Sequence, residues 1–162
     1  MALFSSHDTA CMQRVLELAL RGQGQVAPNP LVGCVITKDN NVIGEGWHQR
    51  YGEAHAERNA VRQVDHLTQL VSSTVYVNLE PCSHFGKTPP CCDLLIQHRV
   101  ARVVISNLDP NPMVNGAGIL RMRQAGIQVD IGLLAEEATE LNQAFFQRFE
   151  QGAYSTDDHS AL

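Results

Sequence analysis

Short apolar runs rich in β-branched residues alternate along most of this chain with segments in which apolar residues recur every three or four positions. The first pattern predicts buried strands and the second predicts helices. Their alternation favours strand-helix-strand units, whose right-handed crossovers make the strands parallel. We expect strands at 32–38, 42–47, 74–79, 102–106 and 127–131. We expect helices at 8–22, 55–64, 91–98, 118–124 and 135–148.

Residues between these segments refine the architecture. Asp8 is the predicted N-cap of the first helix. The stretch 39–41 holds Asp and Asn side chains that tolerate turns, so we expect the first two strands to form an antiparallel hairpin. The fold class is therefore α/β, a three-layer α/β/α domain with a mixed five-stranded sheet that includes this N-terminal hairpin. We expect one domain at 1–150, followed at 151–162 by a polar tail that is mobile.

The composition narrows the classes of partner. The chain has 162 residues, of which 44% are hydrophobic and 18% charged, which is typical of a folded globular protein. A formal charge of −5, with Lys38 and Lys87 as the only lysines, argues against a broad basic surface for nucleic acid. No apolar run approaches the length of a membrane span, and the N-terminus lacks a signal-peptide pattern. We therefore expect a cytoplasmic protein.

Cysteine and histidine residues provide the strongest functional signal. Five cysteines are an odd count, and in a reducing compartment they favour metal binding or catalysis over a disulfide framework. The segment His55-Ala56-Glu57 is followed by Pro81-Cys82 and then by Cys91. One imidazole and two thiolates suit Zn²⁺, and three protein ligands leave the open position that is typical of a catalytic zinc site.

Glu57 is the predicted proton carrier of this site. A bound zinc lowers the pKa of its water, and a nearby carboxylate can accept and return the proton. Residues two apart in a regular helix do not share a face, so the reach of Glu57 depends on the motif lying at a helix start. Two alternatives stay open here: Cys82 and Cys91 as buried thiols or a disulfide, and His84 as a metal ligand.

The spacing of Cys82 and Cys91 distinguishes one group of zinc deaminases from the others. Zinc deaminases combine a His-x-Glu element with a Pro-Cys element, and their second cysteine usually follows two residues after the first. Here eight residues, 83–90, separate Cys82 from Cys91. Together with the segments 28–34, 46–48 and 109–112, this insertion closely resembles the deaminase domains of the bacterial riboflavin-biosynthesis RibD proteins over about residues 12–148.

This resemblance implies a cytidine-deaminase-like fold and hydrolytic removal of an amino group from a pyrimidine ribotide. The substrate would be 2,5-diamino-6-ribosylamino-4(3H)-pyrimidinone 5′-phosphate, with ammonia as the second product. Six substrate contacts are implied: Asn29, His48, His84, Lys87, Asp109 and Asn111. Lys87 would meet the phosphate, and backbone N–H groups of 116–118 are further candidates for it. Asp109 has the alternative of capping its own turn, and Lys87 of being an exposed loop charge.

Two other functions remain open on these residues. The first is a zinc deaminase of another nucleobase, nucleotide or tRNA base, although a tRNA enzyme should carry more basic surface. The second is a zinc-stabilised binding module without catalysis, which would have no use for Glu57. RibD proteins generally continue beyond the region of Arg148 into a reductase domain, whereas this chain ends at Leu162. Three explanations stay open: a deaminase that works with a separate reductase, an excised or altered chain, and a paralogue with a related substrate. The same resemblance implies a homodimer.

Overall fold

A five-stranded mixed sheet forms the centre of the domain in the computed structural model, which describes residues 3–86, 88–112 and 114–150. The strands β1 to β5 span Gly33–Lys38, Asn41–Trp47, Thr74–Leu79, Arg102–Asn107 and Gln128–Ile131. They lie in the order β2-β1-β3-β4-β5. β1 pairs antiparallel with both β2 and β3, whereas β3, β4 and β5 are parallel. The predicted mixed sheet with an N-terminal hairpin is confirmed.

Six α-helices and one short 3-10 helix cover this sheet within the described ranges. The helices α1 to α6 span Ser6–Leu20, Ala56–Arg62, Cys91–Gln97, Ala117–Gln124, Ala135–Leu141 and Gln143–Glu150. The 3-10 helix at Leu67–Leu70 had no counterpart in the sequence-based assignment. None of the helices in the described part of the chain is both long and apolar enough to cross a bilayer.

Alternating side chains of the central strands build two cores, one on each face of the sheet. Val35, Tyr76 and Val104 pack with α1 on one face. Their neighbours, such as Ile36 and Val103, pack with α2, α3 and α4 on the other. Successive side chains of a strand point to opposite faces, so strands buried on both sides need apolar residues at nearly every position. This arrangement gives the three layers that the sequence predicts.

Glycine allows α2 to lie directly on the hairpin. A Cβ atom on Gly46 would lie 2.4 Å from the backbone nitrogen of Ala60, and one on Gly44 would lie 2.5 Å from the carbonyl oxygen of Ala60. No side chain fits in that space. The close approach holds the start of α2 against the end of β2, and His55 lies at that start.

The first helix begins earlier than the sequence indicated. Its N-cap is Ser5, which accepts a hydrogen bond from the backbone N–H of Asp8, while the Asp8 carboxylate accepts from the N–H of Ser5. The prediction of Asp8 as N-cap was therefore wrong, because Asp8 is the N3 residue of a capping box whose N-cap is Ser5. Its carboxylate also accepts hydrogen bonds from Tyr76 and Arg102 across the sheet.

The helix predicted at 135–148 is two helices, separated at Asn142. This residue has φ −115° and ψ 34°, which ends α5 before α6 begins at Gln143. Its side chain bonds the backbone of Leu31, an interaction that local periodicity does not contain. The tail predicted at 151–162 lies outside the described residues.

Candidate active site

Three predicted metal ligands converge from three different elements. His55 is the N-cap of α2, Cys91 is the first residue of α3, and Cys82 follows the end of β3. The Nδ1 atom of His55 lies 3.6 Å from Sγ of Cys82 and 3.5 Å from Sγ of Cys91. All three ligand atoms lie within 4.8 Å of one another. Parallel strand ends and helix starts meet at one edge of an α/β sheet, which brings these distant residues together.

The donor set and its spacing fit a zinc ion. In a tetrahedral site with Zn–N near 2.0–2.1 Å and Zn–S near 2.3 Å, a nitrogen and a sulfur lie about 3.6 Å apart. The two His55-to-sulfur distances match this separation. All five cysteines are free, so the alternative of a disulfide between Cys82 and Cys91 does not hold in this structure.

Hydrogen bonds inside the cluster favour an ionised Cys82. The backbone N–H of Cys91 donates to Sγ of Cys82 over 3.1 Å. The hydrogen bond with the Cys91 thiol, and after it the interaction with His55, lowers the pKa of Cys82 to about 4 despite burial. The contact with Cys82 raises the pKa of Cys91 and that of His55. One sulfur is therefore ready to bind a cation, and the second would lose its proton on binding.

Glu57 faces the same cavity as this cluster. It lies in the first turn of α2, is 3% exposed, and lines the cavity together with His55 and Cys82. His55 has extended backbone angles as the N-cap, so helical periodicity does not turn the two side chains apart. Burial raises the pKa of Glu57 to about 7. A carboxyl group with a pKa near neutrality can both accept and return a proton.

Asn29 and His48 form a second wall of this cavity. The Nδ1–H of His48 donates to the carbonyl oxygen of Ala54 over 3.1 Å, which leaves its Nε2 to accept from the Asn29 amide nitrogen over 3.1 Å. Burial lowers the pKa of His48, which favours the neutral ring that this pattern requires. The Asn29 Oδ1 atom is buried and has no hydrogen-bond partner among the described residues. Asn29 lines the cavity, and the hydrogen bond to His48 holds its side-chain amide in place.

The remaining predicted substrate contacts differ in position. His84 lines a larger outer cavity that also contains His55, Cys82 and Cys91. Asn111 is buried and lines neither cavity, so its contact with substrate stays a prediction. Lys87 lies outside the described residues. The outer cavity includes Arg58, whose guanidinium donates to the carbonyl oxygen of Pro89 and so joins α2 to the loop before Cys91.

Asp109 caps its own turn and also lines the inner cavity, while its contact with substrate stays a prediction. Its carboxylate accepts the N–H of Asn111 over 2.9 Å, as a turn-capping residue would. It also lines the cavity with Glu57 and is 5% exposed. Burial raises its pKa to about 7, and the neighbouring Glu80 adds to this.

Glu80 is the residue of this region that sequence reasoning missed. Its carboxylate accepts backbone N–H groups of Asp109, Gly116 and Gly118. Two of the donors suggested for a phosphate, those of Gly116 and Gly118, are therefore used inside the protein. A charged residue at the end of an apolar strand was the available signal, because a buried carboxylate needs hydrogen bonds.

Comparison with known proteins places the chain in a family. The family model described as the cytidine and deoxycytidylate deaminase zinc-binding region matches residues 5–107. A protein of Buchnera aphidicola subsp. Schizaphis graminum named diaminohydroxyphosphoribosylamino-pyrimidine deaminase is 48% identical over 90% of this chain and 97% of its own length. The Escherichia coli riboflavin biosynthesis protein RibD is 53% identical over 90% of this chain but 39% of its own length.

A solved structure agrees with these sequence relatives. The structure of Acinetobacter baumannii RibD superposes with a TM-score of 0.86 at 46% identity, covering 90% of this chain and 41% of that protein. The chain belongs to the cytidine and deoxycytidylate deaminase zinc-binding family.

Proposed function

We propose that this chain hydrolytically deaminates 2,5-diamino-6-ribosylamino-4(3H)-pyrimidinone 5′-phosphate. The products would be 5-amino-6-ribosylamino-2,4(1H,3H)-pyrimidinedione 5′-phosphate and ammonia. Similarity to the Buchnera deaminase over nearly all of that protein's length supports this substrate. The observation that carries the proposal is structural: the buried carboxyl of Glu57 lines one cavity with His55 and Cys82, and Cys91 lies against both ligands.

Zinc would be held by His55 Nδ1 and by the sulfur atoms of Cys82 and Cys91. When bound, zinc supplies Lewis-acid chemistry, which makes water a better nucleophile at neutral pH. The helix starts that carry His55 and Cys91 favour negative charge on the ligands, because their backbone N–H groups are not used within the helix. The family description as a zinc-binding region supports this choice of metal.

Glu57 would move the protons of the reaction. Its carboxylate takes a proton from water as the water oxygen bonds to the amino-bearing ring carbon. It then delivers that proton to the amino nitrogen, the carbon–nitrogen bond breaks, and ammonia leaves. The second water proton remains with the product, so one water is consumed for each ammonia released. A pKa near neutrality suits a group that must act first as base and then as acid.

The polar lining of the cavity supports a polar heterocycle as substrate. The Asn29 Oδ1 atom, fixed by the hydrogen bond to His48, would accept an N–H group of the ring. Asp109, at a pKa of about 7, can accept or donate a hydrogen bond there. The outer cavity is larger and carries His84 and Arg58, which favours the ribose phosphate on that side.

Assay of ammonia release from a panel of substrates tests the substrate choice. The protein would be supplied with zinc and given the diaminopyrimidine ribotide, cytidine, deoxycytidylate, guanine and tRNA in parallel. We expect release from the ribotide at a kcat/KM well above that for every other compound. Release from one of the other compounds alone would transfer the function to that substrate, and release from none would favour a zinc-stabilised binding module.

The partner and location predictions form part of the same proposal. The RibD relatives are longer than this chain, which covers 39% of the Escherichia coli protein. We propose a homodimer in the cytoplasm and a reductase acting on the product. Sedimentation of the purified protein tests the dimer, and reduction of the deaminated product in a mixture with a reductase tests the second partner.

A further inference from the structure

One buried carboxylate connects segments that are far apart in the sequence. Oε1 of Glu80 accepts the backbone N–H of Asp109 over 3.2 Å and that of Gly116 over 2.9 Å. Oε2 accepts the N–H of Gly118 over 3.0 Å. The residue is 6% exposed. The three N–H donors compensate the cost of burying the carboxylate. An apolar side chain of similar size would leave these three amides without an acceptor.

Glu80 lies between the metal-binding segment and the substrate-facing loop. It directly follows β3 and precedes the Pro81-Cys82 pair. Its own N–H donates to the carbonyl oxygen of Asn107, the last residue of β4. The residue therefore joins the carboxyl ends of two parallel strands, one leading to Cys82 and the other to Asp109.

The start of α4 packs closely against the backbone of Pro81 and the side chain of Glu80. A Cβ atom on Gly118 would lie 2.5 Å from the carbonyl oxygen of Pro81 and 3.4 Å from Oε2 of Glu80. The first of these neighbours is backbone, which cannot rotate away. Glycine at this position lets the helix start reach the Glu80 carboxylate.

We propose that Glu80 is a positioning residue for the deamination: its carboxylate holds the Asp109 wall of the cavity at a fixed distance from the His55, Cys82 and Cys91 cluster. Both Glu80 and Asp109 line the cavity that contains Glu57. The expected effect on KM rests on the proposed function. The hydrogen bond by which Glu80 holds the Asp109 loop does not depend on that function.

A simpler role would be capping of α4, whose first turn has unpaired N–H groups. That role accounts for the bonds to Gly116 and Gly118 but not for the bond to Asp109, which precedes the helix by several residues. A cap alone would affect stability. A positioning residue would also affect how the substrate binds.

The test compares three variants with the wild-type protein. Glu80→Gln replaces one acceptor oxygen by an NH₂ group, which cannot accept an N–H. Glu80→Asp keeps the charge on a side chain one methylene shorter and provides a second variant if Glu80→Gln does not fold. Glu45→Gln is the matched control, because Glu45 is a half-buried carboxylate on β2 that pairs with Arg14 and lines neither cavity.

Two measurements are needed: hydrogen exchange of the amides of Asp109, Gly116 and Gly118, and steady-state ammonia release with zinc content determined. For Glu80→Gln we expect faster exchange at these amides, unchanged zinc content, and a KM for the ribotide raised roughly 10- to 100-fold with a smaller change in kcat. Glu80→Asp should shift the same quantities in the same direction by less. Glu45→Gln should leave them at wild-type values.

Unchanged exchange at Asp109 in both Glu80 variants would overturn the inference. Faster exchange with wild-type KM would overturn it too, because the residue would then be only a helix cap. Failure of the wild-type protein to release ammonia would instead refute the proposed function. In that case hydrogen exchange alone would decide whether Glu80 holds the loop: faster exchange of the Asp109 amide in the Glu80 variants would support it, and unchanged exchange would overturn it.

Discussion

The side chain of Asn142 bonds both backbone groups of Leu31. Its Oδ1 atom accepts the Leu31 N–H over 2.7 Å, and its amide nitrogen donates to the Leu31 carbonyl oxygen over 2.8 Å. The same carbonyl also accepts the side-chain amide of Asn78. These contacts fix the loop that presents Asn29 to the cavity, and they do so from the junction between α5 and α6.

Replacing Asn142 by Ala should therefore weaken both the fold and substrate binding. Loss of both bonds leaves the Leu31 N–H without its partner, which should lower the free energy of unfolding by about 1–3 kcal/mol. The KM for the ribotide should rise, because the Asn29 loop is less well held. Urea denaturation and steady-state kinetics measure the two effects. Asn41→Ala, at the exposed first residue of β2, is the control, and equal effects in both variants would contradict the role of Asn142.

The two proposed cysteine ligands should be distinguishable from their neighbour Cys92. Cys82→Ser and Cys91→Ser each remove one zinc ligand, so purified protein should lose most of its bound zinc. Cys92 is also buried, but it is not one of the three clustered ligands. Cys92→Ala should therefore keep zinc at the wild-type stoichiometry. Elemental analysis by mass spectrometry measures the zinc content per protein chain. Retention of zinc by Cys82→Ser would show that Cys82 is not a ligand.

Substitution of Glu57 should separate metal binding from catalysis. Glu57→Gln keeps the size of the side chain but cannot carry a proton, so kcat should fall by about 10²–10⁴-fold. Zinc content should stay unchanged, because Glu57 is not one of the three ligands. The exposed Glu17, on α1, provides Glu17→Gln as a control with wild-type turnover. Turnover by Glu57→Gln at the wild-type rate would show that another group moves the proton.

Acid should weaken the fold through Asp8. Burial alone would raise the pKa of Asp8, but hydrogen bonds from Arg102, Ser5 and Tyr76 outweigh it and lower the pKa to about 2 from an ordinary 3.8. Because the folded value is the lower one, the stabilisation is complete above about pH 4 and is lost as the pH falls towards 2. It amounts to about 2 kcal/mol at neutral pH.

Unfolding of wild-type protein and Asp8→Asn across pH 2 to 7 measures this contribution. The difference in free energy of unfolding should be largest near neutrality and should shrink by about 2 kcal/mol on the way to pH 2. Any loss of metal in acid affects both proteins alike. A difference for Asp8→Asn that is independent of pH would contradict the assignment.

Features that depend on neighbouring residues could be predicted from the sequence. Strand β3 was assigned at Thr74–Leu79 without error, because its apolar run has clear polar ends. The grouping of His55, Cys82 and Cys91 as metal ligands was predicted from their residue types and from the His-x-Glu and Pro-Cys elements, and the structure brings these residues together. Family resemblance, rather than spacing, supplied the expected substrate contacts.

Features that depend on partners far along the chain could not be predicted. The break at Asn142 is explained by Leu31, 111 residues away. The role of Glu80 needs donors 29, 36 and 38 residues further on. Local periodicity contains no information about such pairs, and a continuous helical pattern at 135–148 even argued against the break. Buried polar residues at strand and helix ends were the signal available for both.

Deamination of the ribotide in water enriched in oxygen-18 tests the central claim most directly. Mass spectrometry of the pyrimidinedione product, combined with an ammonia assay, would follow both halves of the hydrolysis. We expect one oxygen-18 atom in each product molecule and one ammonia released with it, from zinc-loaded wild-type protein and at a strongly reduced rate from Glu57→Gln. Absence of product, or product formed without oxygen from water, would contradict it.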